Sequence, residues 1–434
     1  MKKIKRIMAA ALTAVTVFSV FVPVSSVNAS EIKQKTLYLG DIDRDGRIGA
    51  DDARSALRIS VALKECDAVM LYYGDYIGDG KITAADARLI LRSSVGLEEP
   101  RSPEDKLTEA PKPPEPPKPT QEELKKEWLA SFPEAVSYDD LESNLYWMVN
   151  DIGVRNYWSS SQNYAGNLIY DRLSYYGYSS ADCKKLDFYY AGMTGRNVMA
   201  RIPTKKSNPD IIVVSAHYDT VRGTGGAVDN SSGVVALLQL AKIFKNKQRD
   251  FGVEIRFIFF AGEEQGYYGA YNYVNSLSSS ERSRHKIIFN IDMAAKPDDA
   301  YSPGRAYYLC VSTEPSSSSA YYSPQAKANI GSLAIDDAKN ILGNLGESRY
   351  YSPVRAGYHD IIPFRSAGMS ALTLSWRCYD PSSSHGADYG LAAPSLIHTS
   401  YDNMYNVDIM SLYNTTRLIS LAAANLVSEY TEKF

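Results

Sequence analysis

The chain has 434 residues, room for two or three domains. Hydrophobic residues make up 44% and charged residues 22%, the balance of globular protein. A net charge of -3 with no clustered basic stretch excludes a nucleic-acid-binding face or another polyanionic partner.

In chain order, Lys2, Lys3, Lys5 and Arg6 precede a mostly apolar stretch from Ile7 to Val24, and Val27-Asn28-Ala29 offers a small-residue cleavage site. Residues 1–29 therefore read as a signal peptide, leaving a secreted, extracellular chain with no membrane segment after cleavage. An uncleaved anchor is the competing reading, because the apolar stretch approaches spanning length. The four cysteines, Cys66, Cys183, Cys310 and Cys378, are scattered, which argues against a cysteine-based zinc site. Export would permit two of the last three to pair.

Residues 37–97 hold an internal repeat. Counting Asp41 as position 1, carboxylates fall at positions 1 (Asp41), 3 (Asp43), 5 (Asp45) and 12 (Asp52), with Gly46 at the sharp turn. That is the ligand pattern of an EF-hand loop, with Arg47 contributing through its backbone carbonyl. The second copy offers Asp75, Asp79, Asp86 and the carbonyl of Lys81, but Ile77 occupies position 3, so it should hold calcium more weakly. One to two calcium ions are expected. Helices are predicted directly after each loop, over residues 53–63 and 87–97.

Two loop–helix repeats without the entering helix of an EF-hand resemble a dockerin, a small all-α calcium-binding domain. The resemblance implies that a cohesin domain of a scaffoldin is the partner, in a cell-surface or cellulosome-type complex. The pairs at loop positions 10 and 11, Ala50-Asp51 and Ala84-Ala85, differ, which argues against two equivalent binding orientations. Residues 98–120, with Pro111, Pro113, Pro114, Pro116, Pro117 and Pro119, cannot bury a core and read as a semi-rigid spacer.

From residue 121 to 434, strand-like apolar runs alternate with helix-like periods, predicting one α/β domain. Five segments within it carry chemistry. Ile211-Ile212-Val213-Val214-Ser215-Ala216-His217-Tyr218-Asp219 is a buried strand ending in His-x-Asp, where the carboxylate can orient the imidazole. Asp229 lies in a Gly-rich turn before a helix that begins near Val234. Val253 to Glu264 is a strand ending in adjacent carboxylates, Glu263 and Glu264, a costly arrangement without a cation. Ile287 to Asp292 is another strand ending in a carboxylate, and Leu396-Ile397-His398 supplies a late histidine, one of only five in the chain. Each segment alone has an ordinary explanation as a cap, turn or surface residue. Together, His217, Asp229, Glu264, Asp292 and His398 are nitrogen and oxygen donors suited to two zinc ions.

The order His-x-Asp, Asp-Asn-x-Ser-Gly, Glu-Glu, Asn-x-Asp-Met and Ile-His-Thr-x-x-Asp resembles metallopeptidase family twenty-eight, the secreted bacterial leucine-type aminopeptidases. The resemblance spans about Arg196 to Asp408. It implies a mixed, mainly parallel sheet with helices on both faces. It places one zinc on His217 and Asp292, the other on Glu264 and His398, with Asp229 bridging, Asp219 orienting His217 and Glu263 as general base. The implied reaction is hydrolysis of a peptide or protein substrate, from its free amino end. A carboxypeptidase or glutaminyl cyclase on the same fold, or a non-catalytic assembly module, are the rivals. His359-Asp360-Ile361-Ile362-Pro363-Phe364 departs from the family's Ser-Asp-His before Pro-Phe; Asp360 keeps its place and the histidine does not.

Overall fold

The computed structural model describes residues 37–102, 119–301, 303, 305–314, 335–339, 349–355, 359–379, 391–432 and 434. The expected signal peptide and nearly all of the Pro-rich spacer lie outside these. The chain forms two compact units, Met1–Lys118 and Pro119–Phe434, each described by itself.

Among its described residues, the first unit contains three helices, α1 (Ala50–Ser60), α2 (Ala68–Gly74) and α3 (Ala84–Ser94). Helices α1 and α3 begin three residues earlier than the apolar periodicity suggests. The reason is capping: the Asp52 carboxylate reaches back to the Gly49 N–H at 2.8 Å, and Asp86 to the Thr83 N–H at 2.8 Å. The last loop residues thereby become the first helical turn. The sequence also gave no warning of α2, a helix that runs straight into the second loop at Asp75; Asp67 caps it by accepting from the Val69 and Met70 N–H groups. The core is small: Leu39, Ile42, Ala53, Ala56, Tyr76, Ile82, Ala87 and Ile90.

The second unit is built on nine described strands: β1 (Cys183–Tyr190), β2 (Met193–Ile202), β3 (Ile211–His217), β4 (Glu254–Phe260), β5 (His285–Ile291), β6 (Tyr307–Glu314), β7 (Arg349–Arg355), β8 (Ala371–Tyr379) and β9 (Leu391–Ala392). Their order is β1-β2-β4-β3-β5-β8-β6-β7, with β9 paired to β8. The neighbours β4, β3, β5 and β8 are parallel, as are β6 and β7. The pairings β1–β2, β2–β4, β6–β8 and β8–β9 are antiparallel. The sheet is thus mixed, with a parallel centre and antiparallel flanks, rather than mainly parallel throughout. The two-residue connection Ala191-Gly192 forces the first hairpin to run antiparallel, since a parallel return needs a long crossover.

Every residue of β3 and of β4 is buried, which explains their unbroken apolar runs. Alternation divides each strand between two cores. Ile212, Val214 and Ala216 join the larger one, which includes α4 (Ser232–Asn246) and the helix Ile409–Ser428. Ile211 and Val213 face a smaller one, made with α5 (Tyr268–Ser276) and the helix Ile361–Ser366. Helices therefore cover both faces. A buried polar rung also crosses the centre: Ser215 Oγ donates to Asn290 Oδ1 at 3.0 Å, and Asn290 Nδ2 donates to Thr373 Oγ1 at 3.4 Å.

None of the four cysteines is in a disulfide, so the pairing that export would permit is not made here. Among the described residues, no helix is long and apolar enough to cross a membrane.

Candidate metal centre

Strands β3, β4 and β5 end side by side, and the polar residues that follow them meet at one edge of the sheet. His217 is the last residue of β3, Glu263 and Glu264 follow β4, and Asp292 follows β5 directly. In parallel sheets this carboxyl edge is where ligands bind. Asp229 arrives from the turn before α4, and His398 from the loop before the last helix. All five residues expected to ligate metal are brought together here.

Asp229 is central. Its Oδ1 lies 3.2 Å from His217 Nε2 and its Oδ2 lies 3.2 Å from His398 Nε2. On the first side, Asp292 Oδ1 lies 3.6 Å from His217 Nε2. On the second, Glu264 Oε2 lies 3.1 Å from His398 Nε2. Two groups of donor atoms result, each compact enough for one cation: His217, Glu263 and Asp292, and Asp229, Glu264 and His398.

The centre is deficient in positive charge. Burial pushes Glu263 and Asp360 well above the usual carboxylate range, and burial together with Asp229 pushes Glu264 up to about 7. Burial would lower His217, but Glu263 and then Asp219, Asp229 and Asp292 outweigh it and hold it well above its ordinary value. Among the described residues, His217 Nδ1, Glu264 Oε1 and both carboxylate oxygens of Asp360 are buried with no hydrogen-bond partner. Orphaned donors of this kind, in a nitrogen and oxygen set, fit divalent cations of the zinc type.

Asp219 stands beside His217 and also holds the loop that carries the two glutamates. Its Oδ1 lies 3.6 Å from His217 Nδ1, beyond hydrogen-bonding distance. It also accepts from the Glu263 N–H at 3.1 Å and the Glu264 N–H at 3.3 Å, and so positions the loop that carries both glutamates. Gly262 starts that loop at φ +71°, and a Cβ there would lie 2.9 Å from the Tyr157 ring.

Three buried residues outside the expected site set tie the centre together. Arg155 is fully buried and donates to the carbonyls of Tyr218 (2.6 Å), Met148 (3.1 Å), Gly153 (2.7 Å) and Gly225 (2.9 Å), and to Ser231 Oγ (2.9 Å). It joins the end of β3 to the Asp229 turn. Asn230 links that turn to the end of β5: its Oδ1 accepts from the Met293 N–H at 3.0 Å, and its Nδ2 donates to Ile291 O at 3.0 Å. Asp402 accepts from the Val228 N–H at 2.6 Å and the Asp229 N–H at 3.1 Å, and burial pushes its carboxyl up to about 7. The turn itself needs glycine at Gly226, where φ is +58° and a Cβ would lie 2.1 Å from Asp229 O. Asn230 and Asp402 stood inside the sequence motifs without an assigned role. Arg155 gave no sequence signal at all, since its partners are carbonyls and a hydroxyl rather than a charge pattern.

In the first unit, the structure gathers Asp41, Asp43 and Asp45 into one group with cation-ligating spacing. Asp52 and Asp86 stand apart from any such group among the described residues. Their oxygens accept backbone donors, from Ile42, Asp43 and Gly49 for Asp52 and from Ile77 and Thr83 for Asp86. Asp75 accepts from the Gly78, Asp79 and Gly80 N–H groups, while Arg47 and Lys81 donate their own N–H groups to Asp45 and Asp79. No second carboxylate group forms in the second loop among the described residues, consistent with Ile77 at its third position.

A family model described as peptidase family M28 matches residues 197–423, more than half of the chain, and the chain belongs to that family. Aminopeptidase YwaD of Bacillus subtilis is 31% identical over 188 residues, which are 43% of this chain and 37% of that protein. A solved zinc aminopeptidase from Bacillus subtilis superposes with a TM-score of 0.55 and 18% identity, over 69% of this chain and 98% of the other. A glutaminyl cyclase from Porphyromonas gingivalis superposes with a TM-score of 0.52 and 20% identity, over 67% and 99%. At such identities the likeness shows the fold alone. The chain spans less than half the length of the curated relatives it matches.

Proposed function

We propose that the chain is a secreted di-zinc metallopeptidase that removes N-terminal residues from peptides, and that its first unit is a calcium-binding dockerin. The observation that carries the two-ion reading is Asp229: its two oxygens face two different histidines, each 3.2 Å away, as a bridging carboxylate requires. His217 and Asp292 would hold one ion and Glu264 and His398 the other. When bound, such ions supply Lewis acidity to a scissile carbonyl and a water nucleophile at neutral pH.

The chain's own residues supply the proton chemistry. Glu263 is buried, its backbone is held by Asp219, and its carboxyl sits among the first group of donors. A water against that carboxylate gives up a proton to it, and the proton passes to the leaving amine nitrogen. Burial raises the affinity of Glu263 for that proton, which suits a base that must hold it between the two steps. Recognition of a free α-amine is supported by the aminopeptidase relatives, and the carboxypeptidase and cyclase readings follow from the fold alone.

For the first unit, the outward-facing apolar residues support a protein partner. Leu57, Val61 and Leu63 after the first loop, and Leu91, Val95 and Leu97 after the second, occupy matching repeat positions, and each is at least 46% exposed. Apolar surface displayed in duplicate suits an interface of the dockerin–cohesin kind.

Metal analysis tests the reading. The purified full chain, stripped with chelator and reloaded with zinc in calcium buffer, should retain two zinc ions per chain, and Asp229→Asn should lose affinity for both. Retention of one ion by the unaltered chain, unaffected by Asp229→Asn, would contradict it.

A further inference from the structure

Resting on that two-ion reading, we infer that His359, oriented by Arg377, is a positioning residue that fixes Asp292 for the cation beside His217. His359 is 3% exposed. Its Nδ1 lies 2.5 Å from Asp292 Oδ2, and its Nε2 lies 2.5 Å from Arg377 Nη2. A guanidinium has only donors, so Nε2 must accept. The remaining ring proton therefore sits on Nδ1 and is donated to Asp292. Arg377 thus selects the tautomer, and the Nδ1 proton of that tautomer occupies Asp292 Oδ2.

The consequence is geometric. With Oδ2 held by His359, Oδ1 is the Asp292 oxygen turned toward His217. Asp292 offers its cation one oxygen in a fixed orientation. The Asp292 backbone is fixed as well, because its N–H donates to Leu374 O at 3.1 Å. Three elements build the device: Asp292 directly follows β5, β8 carries Arg377, and His359 lies just before the helix Ile361–Ser366. The device is also one-sided. In the other group Glu264 Oε1 has no hydrogen-bond partner among the described residues, and the His398 side chain is half exposed. Loss of His359 should consequently weaken one cation site and spare the other.

Calorimetric titration of the chelator-stripped full chain with zinc, with calcium in excess, reads this out. The unaltered chain should show two tight sites. His359→Ala should keep one and lose about 10–100-fold in affinity at the other. His359→Asn places an amide N–H near the position of the ring Nδ1–H and should restore most of the loss. His359→Gln, whose amide reaches the Nε2 end instead, should not. Arg377→Met should weaken the same site as His359→Ala. Circular dichroism of the stripped proteins should show one common fold. If His359→Ala proves unfolded, the contrast between Asn and Gln carries the test. Equal binding by the Asn and Gln variants, or equal loss at both sites, would overturn the inference. Fewer than two sites in the unaltered chain would instead defeat the two-ion reading on which it rests.

Discussion

Two buried histidines show how neighbours decide what a residue does. His217 is ringed by carboxylates, which hold it well above its ordinary value despite its burial. His285 faces no such excess. Its Nδ1 bonds Glu281 O at 2.8 Å and its Nε2 lies 3.0 Å from Tyr273 Oη, which itself accepts from Arg256. Burial pushes His285 down to about 4 from 6.5. The sign of the pH effect follows: the unfolded chain takes up a proton that the folded chain refuses. This contribution is present above about pH 6.5 and is lost as pH falls through about 4, for a total of roughly 3 kcal/mol. Urea unfolding from pH 7 to pH 4 should show the stability advantage of the unaltered chain over His285→Gln shrinking by that order. Parallel curves would refute it. At this scale four of the five candidate metal-site residues were legible because they end or follow an apolar strand or lie in the turn before a helix, whereas His398 sits in a loop and was legible as one of only five histidines. His359 was legible only as a displaced histidine, since its partner Asp292 lies 67 residues away in sequence.

Among the elements, the turn Gly225–Ser231 bears the greatest constraint. Arg155 holds its flanks, Asp402 its N–H groups and Asn230 its connection to β5. Arg155 makes this connection without a carboxylate partner, so replacing it strands several buried carbonyls at once. Arg155→Lys, which keeps the charge but loses the forked donors, should cost about 3 kcal/mol or more by chemical denaturation and lower zinc retention in the folded fraction. Unchanged stability would show that the carbonyls find other partners. Strand positions were readable from the sequence because burial on both faces leaves unbroken apolar runs. Helix starts in the first unit were displaced because Asp52 and Asp86, read as loop ligands, also cap the helices that follow. The antiparallel flanks were not readable, because strand direction depends on connection length and neighbours rather than on composition.

The two units gather different donor sets, carboxylate oxygens in one and mixed imidazole and carboxylate donors in the other. Calcium should therefore stabilise the first unit without changing hydrolysis by the second. Differential scanning calorimetry of the full chain should show a transition that rises with calcium. Asp41→Ala should abolish most of that rise, and Asp75→Ala should remove a smaller part, because Ile77 leaves the second loop a ligand short. Equal effects of the two substitutions would contradict the ranking of the loops.

The central claim is that this centre hydrolyses peptide bonds next to a free amino end, with Glu263 as the base. The most direct test compares a leucyl chromogenic amide with its N-acetylated twin, using the zinc-loaded full chain and Glu263→Gln. The account predicts cleavage of the free-amine substrate alone, falling about 10²–10⁴-fold in the variant while zinc content stays unchanged. Cleavage of neither substrate with both zinc ions bound, or full activity in Glu263→Gln, would contradict it.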